Sequence, residues 1–188
     1  MIISYQGAEC FKISQGDLSL VVNPKGKISA DVTLFTSGHG ETSEKSGFVI
    51  EGPGEYEIKD IFIKGFQIKD GEVYKTTYLI TFEGIKLCFL GAILPVKDIE
   101  DVDILLVPAS ADPAEAYKLA VALEPAVMIP FSSDDPSTGS GQGKSLSQFL
   151  KEGGQKVEAI DKYVVKKKDL EGKEGEIILL KEEWFKLT

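Results

Sequence analysis

Along the first two thirds of the chain, apolar side chains recur at alternate positions in short runs, and most runs end at a turn-forming residue pair. MIISYQ, FKIS, LSLVVN and ADVTLF read as strands, with Gln15-Gly16-Asp17 closing the second and third into a hairpin. GFVIEGPGEYEIKDIFIKGFQI continues as several strands broken at Gly52-Pro53-Gly54, with Tyr56, Ile58, Ile61 and Ile63 supplying apolar positions. Asp70-Gly71 is a hairpin turn before VYKTTYLITF, and Glu83-Gly84 turns the chain into IKLCFLG.

The texture then changes. VDILLVPA is almost continuously apolar, the mark of a strand covered on both faces. DPAEAYKLAVALEP reads as a helix: Asp112 is the N-cap, Pro113 suits the first helical position, and Pro125 ends it. Ala116, Leu119, Ala120 and Leu123 fall on one helical face. AVMIPF follows as a second buried strand, completing a strand–helix–strand unit. SSDDPSTGSGQG, residues 132–143, is a low-complexity stretch expected to be a flexible loop. KSLSQFLKEGG is a short helix stopped by glycine. KVEAI, KYVVKK and EIILLKEEWFKL are strand-like, so a strand-rich segment over 155–188 is expected to complete one domain spanning 1–188. Hairpins followed by a strand–helix–strand half indicate α/β or α+β layering.

Composition narrows the function. With 188 residues the chain can bury a core without staples. Its net charge of −9 and pI near 4.8 repel phosphate backbones, so no nucleic-acid partner is expected. The basic cluster KYVVKKKDLEGKEGE is interleaved with acids and reads as solvated surface. Cys10 and Cys88 are too few for a disulfide framework and sit among apolar neighbours, as buried thiols do. MIISYQGAECFKIS lacks the basic start and long apolar core of a secretory leader, and no apolar run reaches the roughly 18 residues of a membrane span, so a cytoplasmic location and no membrane are expected.

The chemistry concentrates in FTSGHGETS, which follows ADVTLF and holds His39, the chain's one histidine. His39 and Glu41 offer two metal ligands where a zinc site takes three or four, and both come from one loop. As a carboxylate–imidazole pair they have the makings of a general base, but a solvated turn explains them as well. Glu55 and Glu57 share a strand face, which solvent exposure alone accounts for. STGSGQGKS approaches a phosphate-binding loop, yet the spacing G-x-x-x-x-G-K-[ST] puts Thr138 where its first glycine belongs. Trp184 and Phe185 suit either core packing or a subunit interface.

Several stretches taken in order resemble the metallo-β-lactamase fold, in the small metal-dependent hydrolase branch related to the ascorbate-phosphate lactonases. They are MIISYQGAECFKI, VVNP, FVIEGPGEYEIKDIFIKG, KLCFLGA, VDILLVPA and LEPAVMIPF, and they cover roughly residues 1–150. The resemblance implies a four-layer αββα sandwich, two mixed sheets flanked by helices. It also implies two zinc or manganese ions, held by an H-x-H-x-D-H loop, further histidines and a bridging aspartate, that turn water into a hydroxide nucleophile. This sequence departs from that pattern almost throughout. The loop reads Ser37-Gly38-His39-Gly40-Glu41-Thr42; the bridging aspartate is Ala92; the last histidine is Ser132, or Phe131 if the loop shifts. The histidine of the opening strand is Ala8, the aspartate of the Asp-Pro strand end is Asn23, and Lys69 is the nearest polar residue to the middle-loop histidine. No metal cofactor is therefore expected, with His39 and Glu41 the weak candidates. The vestigial cleft comprises Asn23, Ser37, His39, Glu41, Ala92 and Ser132. The expected function is a catalytically degenerate binding, assembly or regulatory protein whose partner is another protein or itself. The alternatives are a phosphoester or lactone hydrolase with a reduced site around His39 and Glu41, and a structural homo-oligomer.

Overall fold

The computed structural model describes residues 1–26, 28–38, 47–132 and 142–183. Two mixed sheets face each other. The first is built from β1 (Ile2–Gly7), β2 (Cys10–Gln15), β3 (Leu18–Val22), β4 (Val32–Leu34), β5 (Phe48–Ile50) and β12 (Lys162–Val164). Its order is β12-β1-β2-β3-β4-β5, antiparallel as far as β3 and parallel from there. The second holds β6 (Gly54–Ile58), β7 (Ile61–Asp70), β8 (Val73–Phe82), β9 (Ile85–Phe89), β10 (Ile104–Pro108), β11 (Val127–Phe131) and β13 (Glu176–Ile177). It runs β13-β11-β10-β9-β8-β7-β6, parallel up to β9 and antiparallel beyond. The meander of hairpins and the strand–helix–strand unit thus join in one sheet.

The turns show why the strands end where they do. Lys59-Asp60 and Glu83-Gly84 all have positive φ, the twist that matches tight two-residue hairpins. Helix α1 (Pro113–Ala122) begins as its sequence dictates: the Asp112 carboxylate accepts from the Glu115 N–H at 3.1 Å, and proline takes the first position. It stops at Leu123, and Glu124 follows at φ +47°. Helix α2 (Gln142–Glu152) starts two residues before the expected KSLSQFLKEGG.

The space between the sheets is the main core. Phe11 is its hub: the ring is fully buried and lies 4.7 Å from Tyr5, 5.8 Å from Phe89 and 5.2 Å from Phe131, centre to centre. A second core forms where Ala116, Ala120 and Phe149 of the two helices meet Leu105, Val107 and Met128 on the outer face of the seven-stranded sheet. Both described helices therefore flank the same sheet. The outer face of the other sheet, at Cys10 and Val21, is covered by Ile28 and Ala30 from the β3–β4 connection. The helical layer expected on both flanks is, among the described residues, present on one.

The C-terminal segment differs from its expectation. KVEAI and EIILLKEE share one isolated bridge, Ile160 to Leu180, and EIILLKEE adds the two-residue β13 and a bridge from Glu182 to Tyr5. Lys167–Leu170 is a 3-10 turn. The chain visits the edge of one sheet at β12 and of the other at β13, so each pairing lasts only two or three residues. Trp184 and Phe185 lie outside the described residues. Of the loop expected over 132–143, Ser132 is buried, residues 142–143 open α2, and the remainder lies outside the described residues. Cys10 and Cys88 are buried as expected, and burial pushes their thiols up to about 11 and about 12.

Phe11→Ala is expected to cost about 3–5 kcal/mol, read as a lower denaturant midpoint. Phe62, half exposed on the outside of β7, is the contrast; Phe62→Ala should change stability by no more than about 0.5 kcal/mol.

Candidate functional site

The residues singled out by the resemblance gather at one end of the sandwich. Asn23 follows β3, Ser37 lies beyond the end of β4, Ala92 follows β9, and Ser132 follows β11. Ala8 lies between β1 and β2 at the same end. The Tyr5 hydroxyl sits 2.7 Å from the Ala8 carbonyl and 3.0 Å from the Ser132 carbonyl, so it ties the two sheets together there. Lys69 falls inside β7, opposite Tyr74, and is exposed. A regular hairpin thus stands where the resemblance implies a ligand loop. His39 and Glu41 lie outside the described residues.

Asn23 and Ser132 are engaged by hydrogen bonds to their neighbours. Asn23 has φ +46°, a left-handed conformation that asparagine tolerates well, and its N–H donates to the Leu34 carbonyl at 2.8 Å. Its side-chain oxygen accepts from the Thr36 N–H at 2.8 Å, and its amide donates to Thr36 Oγ1 at 2.9 Å and Glu9 Oε2 at 3.3 Å. Both ends of the amide are therefore committed. Thr36 in turn accepts the Thr76 N–H on its carbonyl at 2.7 Å. The Thr77 hydroxyl accepts from Gly91 N–H at 3.0 Å. A side chain at Gly91 would come within 2.4 Å of the Thr76 carbonyl oxygen, so glycine is required there. Ser132 is buried, with its hydroxyl 3.2 Å from that of Ser110, whose carbonyl accepts from the Ser145 hydroxyl at 3.4 Å. Ser37 is exposed.

Glu9, Tyr5, Thr36, Thr76, Thr77 and Ser110 were not marked by the sequence reading. Only Glu9 carried a signal, as the acid beside Ala8 in the opening stretch. Burial raises its carboxyl above the usual carboxylate range, and Lys75 and Lys25 oppose that shift. Burial, reinforced by Glu182 and Glu9, pushes the Tyr5 hydroxyl far up, so it remains a hydrogen-bond donor.

The donor set decides what metal chemistry the cleft could support. Ala8 and Ala92 have no ligating atom, Asn23 is consumed by Thr36 and Glu9, Ser132 is a hydroxyl, and Lys69 is an ammonium with no lone pair to give. Among the described residues no three histidine, cysteine or carboxylate side chains converge on a point that could hold an ion. Among the described residues this set does not fit two metals. A cavity of about 610 Å³ lies at the opposite end of β11, lined by Tyr117, Val121, Glu124, Met128, Gln155 and Lys173, and shares no residue with the cleft.

Solved structures share this architecture. A protein from Thermotoga maritima, provisionally classed as a Zn-dependent hydrolase of the metallo-beta-lactamase superfamily, is 25% identical; the match covers 95% of this chain and 97% of that one, with a TM-score of 0.77. The metallo-beta-lactamase fold protein YhfI from Bacillus subtilis is 10% identical over 96% and 95% of the two chains, with a TM-score of 0.61. An isothiocyanate hydrolase from Delia radicum gut bacteria is 11% identical over 97% of each, with a TM-score of 0.59. Among curated proteins, none matches this chain. A model of the beta-lactamase superfamily domain matches residues 2–132, and with the two mixed sheets and the ordered strand ends already described, the chain belongs to that superfamily.

Proposed function

We propose that this protein is a non-hydrolytic member of its superfamily, a binding or assembly protein whose cleft has become a hydrogen-bonded structural joint. The observation that carries this reading is the fate of Asn23. Where the resemblance implies an aspartate, an amide spends both its donor and its acceptor capacity on Thr36 and Glu9. The alanines at positions 8 and 92 support it, because they carry no ligating atom and no cluster of ligands among the described residues replaces one.

A metal-dependent hydrolase is the second reading. What favours it is the hydrolase description of the Thermotoga maritima relative, which matches nearly the whole chain. In that reading His39 and Glu41 would be the ligands that this chain retains.

One experiment separates the two. Protein purified without a histidine tag is analysed for bound metal by mass spectrometry and titrated calorimetrically with zinc and with manganese, beside His39→Ala. The expected result is no stoichiometric metal, no binding heat and no metal-dependent hydrolysis of phosphoesters or lactones. Near-stoichiometric metal that is lost in His39→Ala would overturn the proposal in favour of the hydrolase.

The joint itself makes a second prediction. Asn23→Asp sets a carboxylate against Glu9 and removes the donor to Thr36 Oγ1. It should cost about 1–3 kcal/mol at neutral pH, and less in acid, where Glu9 takes up its proton. The sign for the parent protein follows from Glu9's raised carboxyl. The native state keeps that proton to higher pH than the unfolded chain. Glu9's contribution is therefore fully present below its unfolded value and is lost as pH rises through its folded one. Glu9→Gln should flatten that part of the curve of denaturant midpoint against pH; an unchanged slope would show that Glu9 does not titrate in this joint.

A further inference from the structure

Strands β7 and β8 are ten residues each and outrun their neighbours. β6 pairs with β7 only up to Gly65, and β9 pairs with β8 only from Tyr78. Past those points Phe66–Asp70 and Val73–Thr77 pair with each other, forming a two-stranded arm closed by Gly71-Glu72. The β8 side of the arm is tied back, through Thr76 N–H to the Thr36 carbonyl and Thr77 Oγ1 to Gly91. The β7 side is not continued by any described strand, because Gly52 and Pro53 cross over Gly65 and lead β6 away. The arm also carries exposed apolar side chains, with Val73 and Tyr74 each 57% exposed. A ribbon with an edge that no described strand pairs, and with apolar residues at its tip, is a template for another strand.

A second copy of the same strand is an occupant whose charges this edge accepts. If the edge pairs antiparallel with the same edge of a second copy, centred on Ile68, Gln67 stands opposite Lys69 of that copy and Phe66 opposite its Asp70. No like charges face each other, and every contact is made twice, as a two-fold interface requires. The same test fails at β6, the full-length edge strand of this sheet. Pairing about Tyr56 would set Glu55 against Glu57 of the copy. The edge strands β5 and β12 offer three residues each.

We propose that the protein forms a two-fold dimer through the Phe66–Asp70 edge of this arm, giving a four-stranded ribbon across two chains beside the cleft. The inference stands on strand register and charge and does not depend on whether the cleft binds metal. Gln67 and Lys69 are exposed, so both can be changed without touching the core. The association constant is measured by sedimentation, with thermal unfolding as the check on folding. The parent chain should dimerise. Gln67→Lys puts like charges opposite each other twice and should weaken the dimer on the order of tenfold; Gln67→Glu should tighten it; Gln67→Lys combined with Lys69→Glu should restore it. A parent chain that stays monomeric at its highest soluble concentration overturns the proposal. So does a dimer indifferent to these charges, or a weakened dimer that the double variant fails to restore.

Discussion

The structure depends on aromatic packing between the sheets. Phe11 touches Tyr5 in its own sheet and Phe89 and Phe131 in the other, so one side chain fixes the distance and angle at which β1, β2, β9 and β11 meet. Aromatic side chains bury large areas and resist displacement from a close-packed interior. The Tyr5 ring joins this cluster while its hydroxyl reaches the Ala8 and Ser132 carbonyls. The same residue is thus core at one end and cleft floor at the other. A cleft held this way keeps its shape through apolar burial, whichever ligands its rim retains or loses.

That division explains what could be read from the sequence. Strands and hairpins were legible because their signals are local: alternation in β7 and β8, the Glu83-Gly84 turn, and the Asp70-Gly71 signal, which falls one residue before the turn at Gly71-Glu72. Helix α1 announced itself through Asp112 and Pro113. The unbroken apolar runs of β10 and β11 marked strands that are covered on one face by the other sheet and on the other by helices. The C-terminal segment misled because its apolar residues have the strand period, while the length of a strand is set by how much sheet edge is available to it. Which flank the described helices cover depends on which connections are long enough to fold back, and local periodicity does not encode that.

The rim was half legible. The resemblance located Asn23, Ala92 and Ser132 at one end of the fold, where they do gather. It gave no notice of the contacts that hold them. Asn23 and Thr36 are thirteen residues apart, and Tyr5 and Ser132 are 127 apart. Such pairs carry no spacing rule, since the chain between them can take any path that returns to the same edge. Hydrogen-bond partners of this kind become visible only when the sheets are assembled.

The backbone at the rim takes an uncommon conformation at two positions. Ala8 has φ +51°, following Gly7 at φ +95° in an irregularity of the β1–β2 pairing, and Asn23 has φ +46°. For alanine the left-handed region costs roughly 1 kcal/mol, and the surrounding structure must hold it there. At Asn23 that cost is small, since asparagine and aspartate both enter this region readily and both accept from a backbone N–H two or more residues on. The two differ in charge. A carboxylate at position 23 sets a second acid against Glu9; an amide does not, and it donates to Glu9 as well. Asparagine therefore suits the turn after β3 without adding a charge beside Glu9, and the turn keeps Thr36 and Thr76 in register across the two sheets.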